Sequence, residues 1–236
     1  MSEGRRREEI LANIEDVRRN LVRACERVDR DPAGVRIVAA AKTVEPEAVA
    51  WVRDAGIVDV GENYVRELRV KHDAVGGVVW HFIGTLQSGS AHHVAELADV
   101  VETAVPGRAL GRLGRRAIGS GKAIPALLEV DFTRNRSGVA PEAVAQAADA
   151  VAATEGIRFA GLMTLPPIPA TAEDSRGYFR RLRELVEEVG ERHPDATELS
   201  MGMSLDYEVA VQEGATMVRI GTALFGPRKL PDQRRT

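Results

Sequence analysis

The stretch Val35–Thr43, VRIVAAAKT, decides the fold. Val35, Ile37, Val38, Ala39, Ala40 and Ala41 are interrupted only by Arg36 and end on Lys42. A continuous run of small and β-branched residues reads as a strand buried on both faces, as in a parallel sheet. Comparable runs follow at 57–60, 78–83, 100–103, 124–130, 157–162, 198–200 and 216–220, making eight strands with the first at 35–41. Helices are expected between them at 46–55, 62–74, 86–97, 108–119, 141–154, 174–192 and 205–213. Pro46 and Pro141 stand just inside two of these, where the missing N–H costs nothing. Before the first strand, Ile10, Ile14, Val17, Leu21, Ala24 and Val28 recur at steps of three and four. They predict an amphipathic helix over 5–28, with Cys25 beside its stripe. Alternating strands and helices imply βαβ units, and eight of them suit a TIM-type (β/α)8 barrel over 35–228 carrying an extra N-terminal helix. A doubly wound open sheet is the alternative.

The chain has 236 residues, 44% of them hydrophobic, and a net charge of −3. That supports one sizeable core, so 1–236 reads as one α/β domain. The balanced charge favours neither nucleic acid nor an anionic membrane as partner. A single cysteine excludes an internal disulfide and fits a reducing compartment. No apolar leader opens the chain, and no run reaches the roughly 18 residues of a membrane span. A soluble cytoplasmic protein is therefore expected, and a monomer, since no dimer element is evident.

Several nucleotide and metal motifs fail. Gly119-Ser120-Gly121-Lys122 lacks the P-loop's earlier glycine, Arg116 standing there, and its hydroxyl, Ala123 standing there. No G-x-G-x-x-G follows a strand. Adjacent His92 and His93 face different ways on a helix and make no metal pair. There is no G-x-S-x-G nucleophile elbow.

Lys42 falls at the C-terminal end of the first strand, the ligand edge of parallel α/β folds. It is either a solvated loop lysine or a desolvated nucleophile able to form a Schiff base with a carbonyl compound. Two small-residue loops follow strands seven and eight: Ser200-Met201-Gly202-Met203-Ser204, and Gly221-Thr222 leading to Gly226. Barrels often hold a phosphate at that location, although each loop alone is equally an ordinary capped turn. Arg219 interrupts an apolar strand, sharing a face with Met217, and a buried guanidinium needs a partner. That partner is a carboxylate or an acceptor nitrogen of a bound heteroaromatic ring. One common cofactor combines an aldehyde, a phosphate and a pyridine nitrogen: pyridoxal 5′-phosphate.

The segments AAAKT around Lys42, VGENYVRE (Val60–Glu67), WHFIGTLQS (Trp80–Ser88), LSMGMSLDYEVAVQEG (Leu199–Gly214) and MVRIGTALFG (Met217–Gly226) resemble the pyridoxal phosphate homeostasis protein family. That family is related to the N-terminal barrel of alanine racemases. The resemblance implies Lys42 as the Schiff-base lysine and Arg219 facing the pyridine nitrogen. It places Ser200, Gly202, Ser204, Gly221 and Thr222 around the phosphate, and Asn63 and His81 on the cofactor-facing side. His81 stands on an apolar strand, where a histidine is more often a satisfied core residue. Ala41, Gly89-Ser90 and Arg136 depart from the family pattern and put in doubt any role for secondary lysines.

The resemblance implies a non-catalytic carrier in vitamin B6 and amino-acid homeostasis, with apo forms of pyridoxal-phosphate enzymes as candidate recipients. A pyridoxal-phosphate-dependent amino-acid racemase is the alternative. Related racemases add a C-terminal β domain bearing a second acid/base, a tyrosine, whereas only Pro227–Thr236 follow the expected barrel. Tyr64, Tyr178 and Tyr207 offer no evident replacement.

Overall fold

A computed structural model describes residues 3–227, so the expected barrel limit at Arg228 lies outside the described residues. Eight strands close into an all-parallel barrel in chain order: β1 (Arg36–Ala40), β2 (Asp59–Glu62), β3 (Val79–Phe82), β4 (Val100–Ala104), β5 (Ile124–Val130), β6 (Ile157–Thr164), β7 (Glu198–Ser200) and β8 (Met217–Ile220). β8 pairs back on β1, Arg36 opposite Met217 through Ala39 opposite Ile220. The helices are α1 (Glu3–Glu26), α2 (Pro46–Asp54), α3 (Val65–Ala74), α4 (Ala91–Leu97), α5 (Arg108–Gly119), α6 (Val144–Ala152), α7 (Arg176–Gly190), α8 (Tyr207–Gln212) and α9 (Thr222–Phe225). The open doubly wound sheet is excluded by the closure.

Alternation sorts each strand into two cores. Val60, Phe82, Leu128, Val218 and Ile220 face outward and bury against Val49, Leu68, Leu113 and Leu182 of the surrounding helices. A smaller cluster inside the barrel holds Val38, Leu127, Ala160, Met163 and Met217. Met217 inside and Val218 outside put Arg219 inside, as its strand pattern predicts.

α9, the helix after β8, has only four residues. α1 packs against α2, α8 and α9, and so covers the stretch of wall that a longer eighth helix would cover. Its stripe Ile10, Ile14, Val17, Leu21 and Ala24 is buried, as is Cys25. Val28, expected on that stripe, lies past the helix end and is 40% exposed.

Other boundaries move as well. The second strand is Asp59–Glu62 rather than 57–60, because Asp59 and Glu62 find buried partners that the sequence pattern does not display. The fourth helix begins at Ala91, since Gln87–Ser90 form a turn in which the Ser90 N–H bonds the Gln87 carbonyl. Gly84, just after β3, lies against Asn63 so closely that any Cβ there would overlap the Asn63 carbonyl oxygen. That approach fixes the end of β2 and the start of the Asn63 loop. Among the described residues, no helix is long and apolar enough to cross a membrane.

Candidate functional site

The C-terminal ends of the strands open onto a cleft of about 770 Å³. Lys42, Asn63, Ser204, Arg219, Gly221 and Thr222 all line it. They come from four loops or strands separated by up to 180 positions, and only barrel closure brings them together. The N-terminal half of α1 adds Arg6, Glu9, Ile10 and Asn13 to the wall, a contribution the sequence pattern does not reveal. Asn13 ties α1 down by donating to the Leu224 carbonyl at 3.0 Å.

Lys42 stands two residues past the end of β1 and is half-buried. Its Nζ stands 4.9 Å from the Tyr64 ring centroid, a cation–π distance. Among the described residues, no carboxylate pairs with it. A primary amine unclaimed by an acid is free to attack a carbonyl carbon once it loses its proton. The next residue, Thr43, has φ +63°, a left-handed conformation that β-branched residues rarely adopt. Glu67 on α3 holds it there, its Oε2 accepting the Thr43 N–H at 2.8 Å. Beneath this turn lies buried Lys71, which donates to Glu62, to the Ala41 carbonyl at 2.7 Å and to Glu67 at 3.2 Å. Lys71 and Glu67 thus clamp both flanks of Lys42 to α3, and the Lys71–Glu62 pair ties that clamp to β2. Burial raises the Glu62 carboxyl above its ordinary range, against the opposing pull of Lys71.

The loops after β7 and β8 meet at Ser204. Its Oγ lies 3.3 Å from the Gly221 N–H and 3.2 Å from the Ala223 N–H, accepting from both. Both amides point at Ser204 Oγ, so the group presented to the cleft is the Ser204 hydroxyl, and the two amides behind it are donors that an anion such as phosphate would take over if the hydroxyl turned aside. Gly202, buried at φ +91°, turns the chain so that Met203 and Ser204 reach the cleft. It does not line the cleft itself: its carbonyl accepts the Arg219 N–H at 3.0 Å.

Arg219 is 3% exposed. Its Nη1 donates to Ser200 Oγ, and its Nη2 donates to the Thr164 carbonyl at 2.7 Å. The nearest carboxylate, Glu102 on β4, is 3.7 Å away. Two of five N–H donors are thereby engaged, leaving others for the cleft that Arg219 lines.

Ser200 and His81, expected around the cofactor, stand inside the barrel and do not line the cleft. Alternation turns both side chains inward, where charged groups claim them. Ser200 donates to Glu102 Oε2 at 2.5 Å. His81 places Nδ1 2.7 Å from Glu102 and Nε2 2.9 Å from Asp59. Burial alone would push His81 down, but these two carboxylates outweigh it and raise its pKa to about 9 from 6.5. A raised folded-state pKa means that this contribution to stability is complete below about pH 6.5 and is lost as the pH climbs through about 9. Unfolding in urea across that range should show the decline in the wild type. His81→Asn should be less stable throughout and lack that part of the slope. Equal slopes in both proteins would contradict the assignment.

Of the departures from the family pattern, Ala41 is fully buried, and Arg136 is half-exposed with its Nε 3.4 Å from Glu129. Among the described residues there is no cluster of three potential metal ligands.

Residues 12–229 match the family described as alanine racemase, N-terminal domain. The chain is 36% identical to a pyridoxal phosphate homeostasis protein of Aquifex aeolicus over 88% of its own length and 93% of the relative's. It is also 36% identical to one of Pseudomonas aeruginosa, over 93% and 96%. Among solved structures it superposes with a TM-score of 0.80 on PipY of Synechococcus elongatus PCC7942, determined with PLP bound. That match covers 92% of this chain and all of the other, at 29% identity.

Proposed function

We propose that this chain, which belongs to the pyridoxal phosphate homeostasis protein family, binds pyridoxal 5′-phosphate in the cleft and holds it on Lys42. The observation that carries the reading is the convergence, in one cleft, of an unpaired lysine, an arginine with spare donors and a hydroxyl–amide cradle. These match the three functional groups of the cofactor. When bound, that group supplies an aldehyde and a conjugated ring able to withdraw electrons from an attached amine. Lys42 is the residue that would hold the aldehyde carbon, as a Schiff base formed with release of one water. Ser204 and the Gly221 and Ala223 amides take the phosphate, with Thr222 beside them. Arg219 donates to the ring nitrogen without giving up its proton, since a guanidinium stays charged at any ordinary pH. Asn63 lines the ring's side of the cleft, and Gly202, Ser200 and His81 act from behind the wall.

The same reading makes the protein a carrier that does not turn amino acids over. A racemase needs a second acid/base on the face opposite its lysine, within hydrogen-bond reach of the reacting carbon. Among the described residues, the cleft lining contains no Tyr, His or Cys. Tyr64 lies on Lys42's own side, Tyr178 packs on Phe132, and Tyr207 is buried on α8. Among the described residues three carboxylates line the cleft: Glu9 and Glu45 are solvent-exposed, and Asp206 is committed to the Met203 N–H and the Ser175 hydroxyl. A monomeric carrier in the cytoplasm, serving vitamin B6 homeostasis and handing cofactor to apo enzymes, completes the reading. The test is incubation of the pyridoxal phosphate-loaded protein with L-alanine and other amino acids, followed by chiral chromatography. No net racemisation is expected. Enzyme-like turnover abolished in Lys42→Ala would establish the racemase alternative instead.

A further inference from the structure

We propose that Glu102, backed by Ser200 and the His81–Asp59 pair, is a positioning residue for Arg219 and sets the strength of its contact with the cofactor's ring nitrogen. This rests on the cofactor reading above.

The groups form one row across the barrel interior. Asp59 on β2 meets His81 on β3, His81 meets Glu102 on β4, and Glu102 meets Ser200 on β7, which meets Arg219 on β8. Ionised carboxylates only accept hydrogen bonds. With a carboxylate on each ring nitrogen, His81 must carry a proton on both and is an imidazolium. The row therefore alternates in charge: Asp59 negative, His81 positive, Glu102 negative, Arg219 positive. Ser200 has one proton and gives it to Glu102, so its lone pair faces Arg219 and receives Nη1. The Thr164 carbonyl fixes Nη2. A planar guanidinium held at both terminal nitrogens cannot rotate, and its remaining donors keep one direction.

Other charges also bear on Arg219: Glu129, Asp206 and Arg136. Glu129 and Asp206 are 3% and 1% exposed. Neutralising Glu102 leaves these two as competing carboxylates and frees the Ser200 proton to turn toward other acceptors. The guanidinium then loses the one arrangement that aims it at the cleft, while the fold keeps a buried residue of the same shape. No side chain of the row hydrogen-bonds Ser204, the Gly221 and Ala223 amides or Lys42, so the effect falls on the ring nitrogen.

The experiment compares pyridoxal 5′-phosphate with its 1-deaza analogue, in which a C–H replaces the ring nitrogen, on wild type, Glu102→Gln and Ser200→Ala. Wild type should prefer the natural cofactor by about tenfold or more, the worth of one hydrogen bond from a charged donor. In both variants that ratio should fall toward one, with affinity for the deaza analogue nearly unchanged. Ser200→Ala removes a single hydroxyl and keeps the test decisive if Glu102→Gln does not fold. A wild-type preference that persists in the folded variants, or an equal loss for both ligands, overturns the positioning role alone. Wild-type protein that binds neither ligand overturns the cofactor reading and this proposal with it.

Discussion

Lys71→Met is expected to destabilise the protein by roughly 3–5 kcal/mol at neutral pH, the usual cost of stranding one partner of a buried ion pair. Lys71 is 3% exposed and Glu62 fully buried, and each supplies the other's principal charge. Methionine fills a similar volume, so the loss comes from the orphaned carboxylate and not from a cavity. Burial already raises the Glu62 pKa in the intact pair, and removal of Lys71 raises it further. An acid with a raised folded-state pKa contributes fully only below its unfolded value and loses that contribution as the pH rises through the folded value. The deficit of Lys71→Met relative to wild type should therefore shrink as the pH is lowered toward the ordinary carboxylate range. The double variant Lys71→Met/Glu62→Gln should recover a large part of it at neutral pH, since the stranded charge is gone. Urea unfolding at two pH values checks both statements. A deficit independent of pH and unrelieved in the double variant would mean that Lys71 acts through packing alone. The site is affected too, because the same ammonium holds the Ala41 carbonyl beside Lys42.

The second large effect concerns phosphate. Gly221→Val should weaken binding of pyridoxal 5′-phosphate by about ten- to a hundredfold, the worth of one or two charge-assisted hydrogen bonds, and leave pyridoxal binding nearly unchanged. A Cβ at Gly221 would meet only the Ala40 carbonyl oxygen at 3.4 Å and the Ala40 Cβ at 3.7 Å, close to ordinary contact within the protein. The added branches instead crowd the approach to the Gly221 and Ala223 amides. Equal weakening of both ligands would place the phosphate elsewhere or show that the loop itself has collapsed.

The barrel was legible because most of its strands are unbroken apolar runs between helices, and eight such units close in one familiar way. β2 was misplaced because Asp-Val-Gly-Glu does not look like a buried strand. It becomes one only through His81 and Lys71, which lie 22 and 9 positions from their respective partners Asp59 and Glu62. Lys42 and Arg219 could be read as site residues since each is a cation at the C-terminal end of an apolar strand. The same logic applied to Asp59, Glu102 and Glu129 would have exposed the charged interior, for each is a lone acid in a comparable run. Ser200 and Ser204 look alike in the sequence. Only alternation along β7, followed by the turn at Gly202, sends one into the barrel and the other to the cleft. The face that α1 buries is written in its periodicity, but the strand ends its N-terminal half overhangs depend on the shortness of α9.

The central claim is that Lys42 carries the cofactor. Borohydride reduction of the protein equilibrated with pyridoxal 5′-phosphate, followed by peptide mass mapping, tests it most directly. The pyridoxyl group is expected on the peptide containing Lys42, with no such adduct in Lys42→Ala. Its recovery mainly on Lys71, Lys122 or Lys229 would contradict the account.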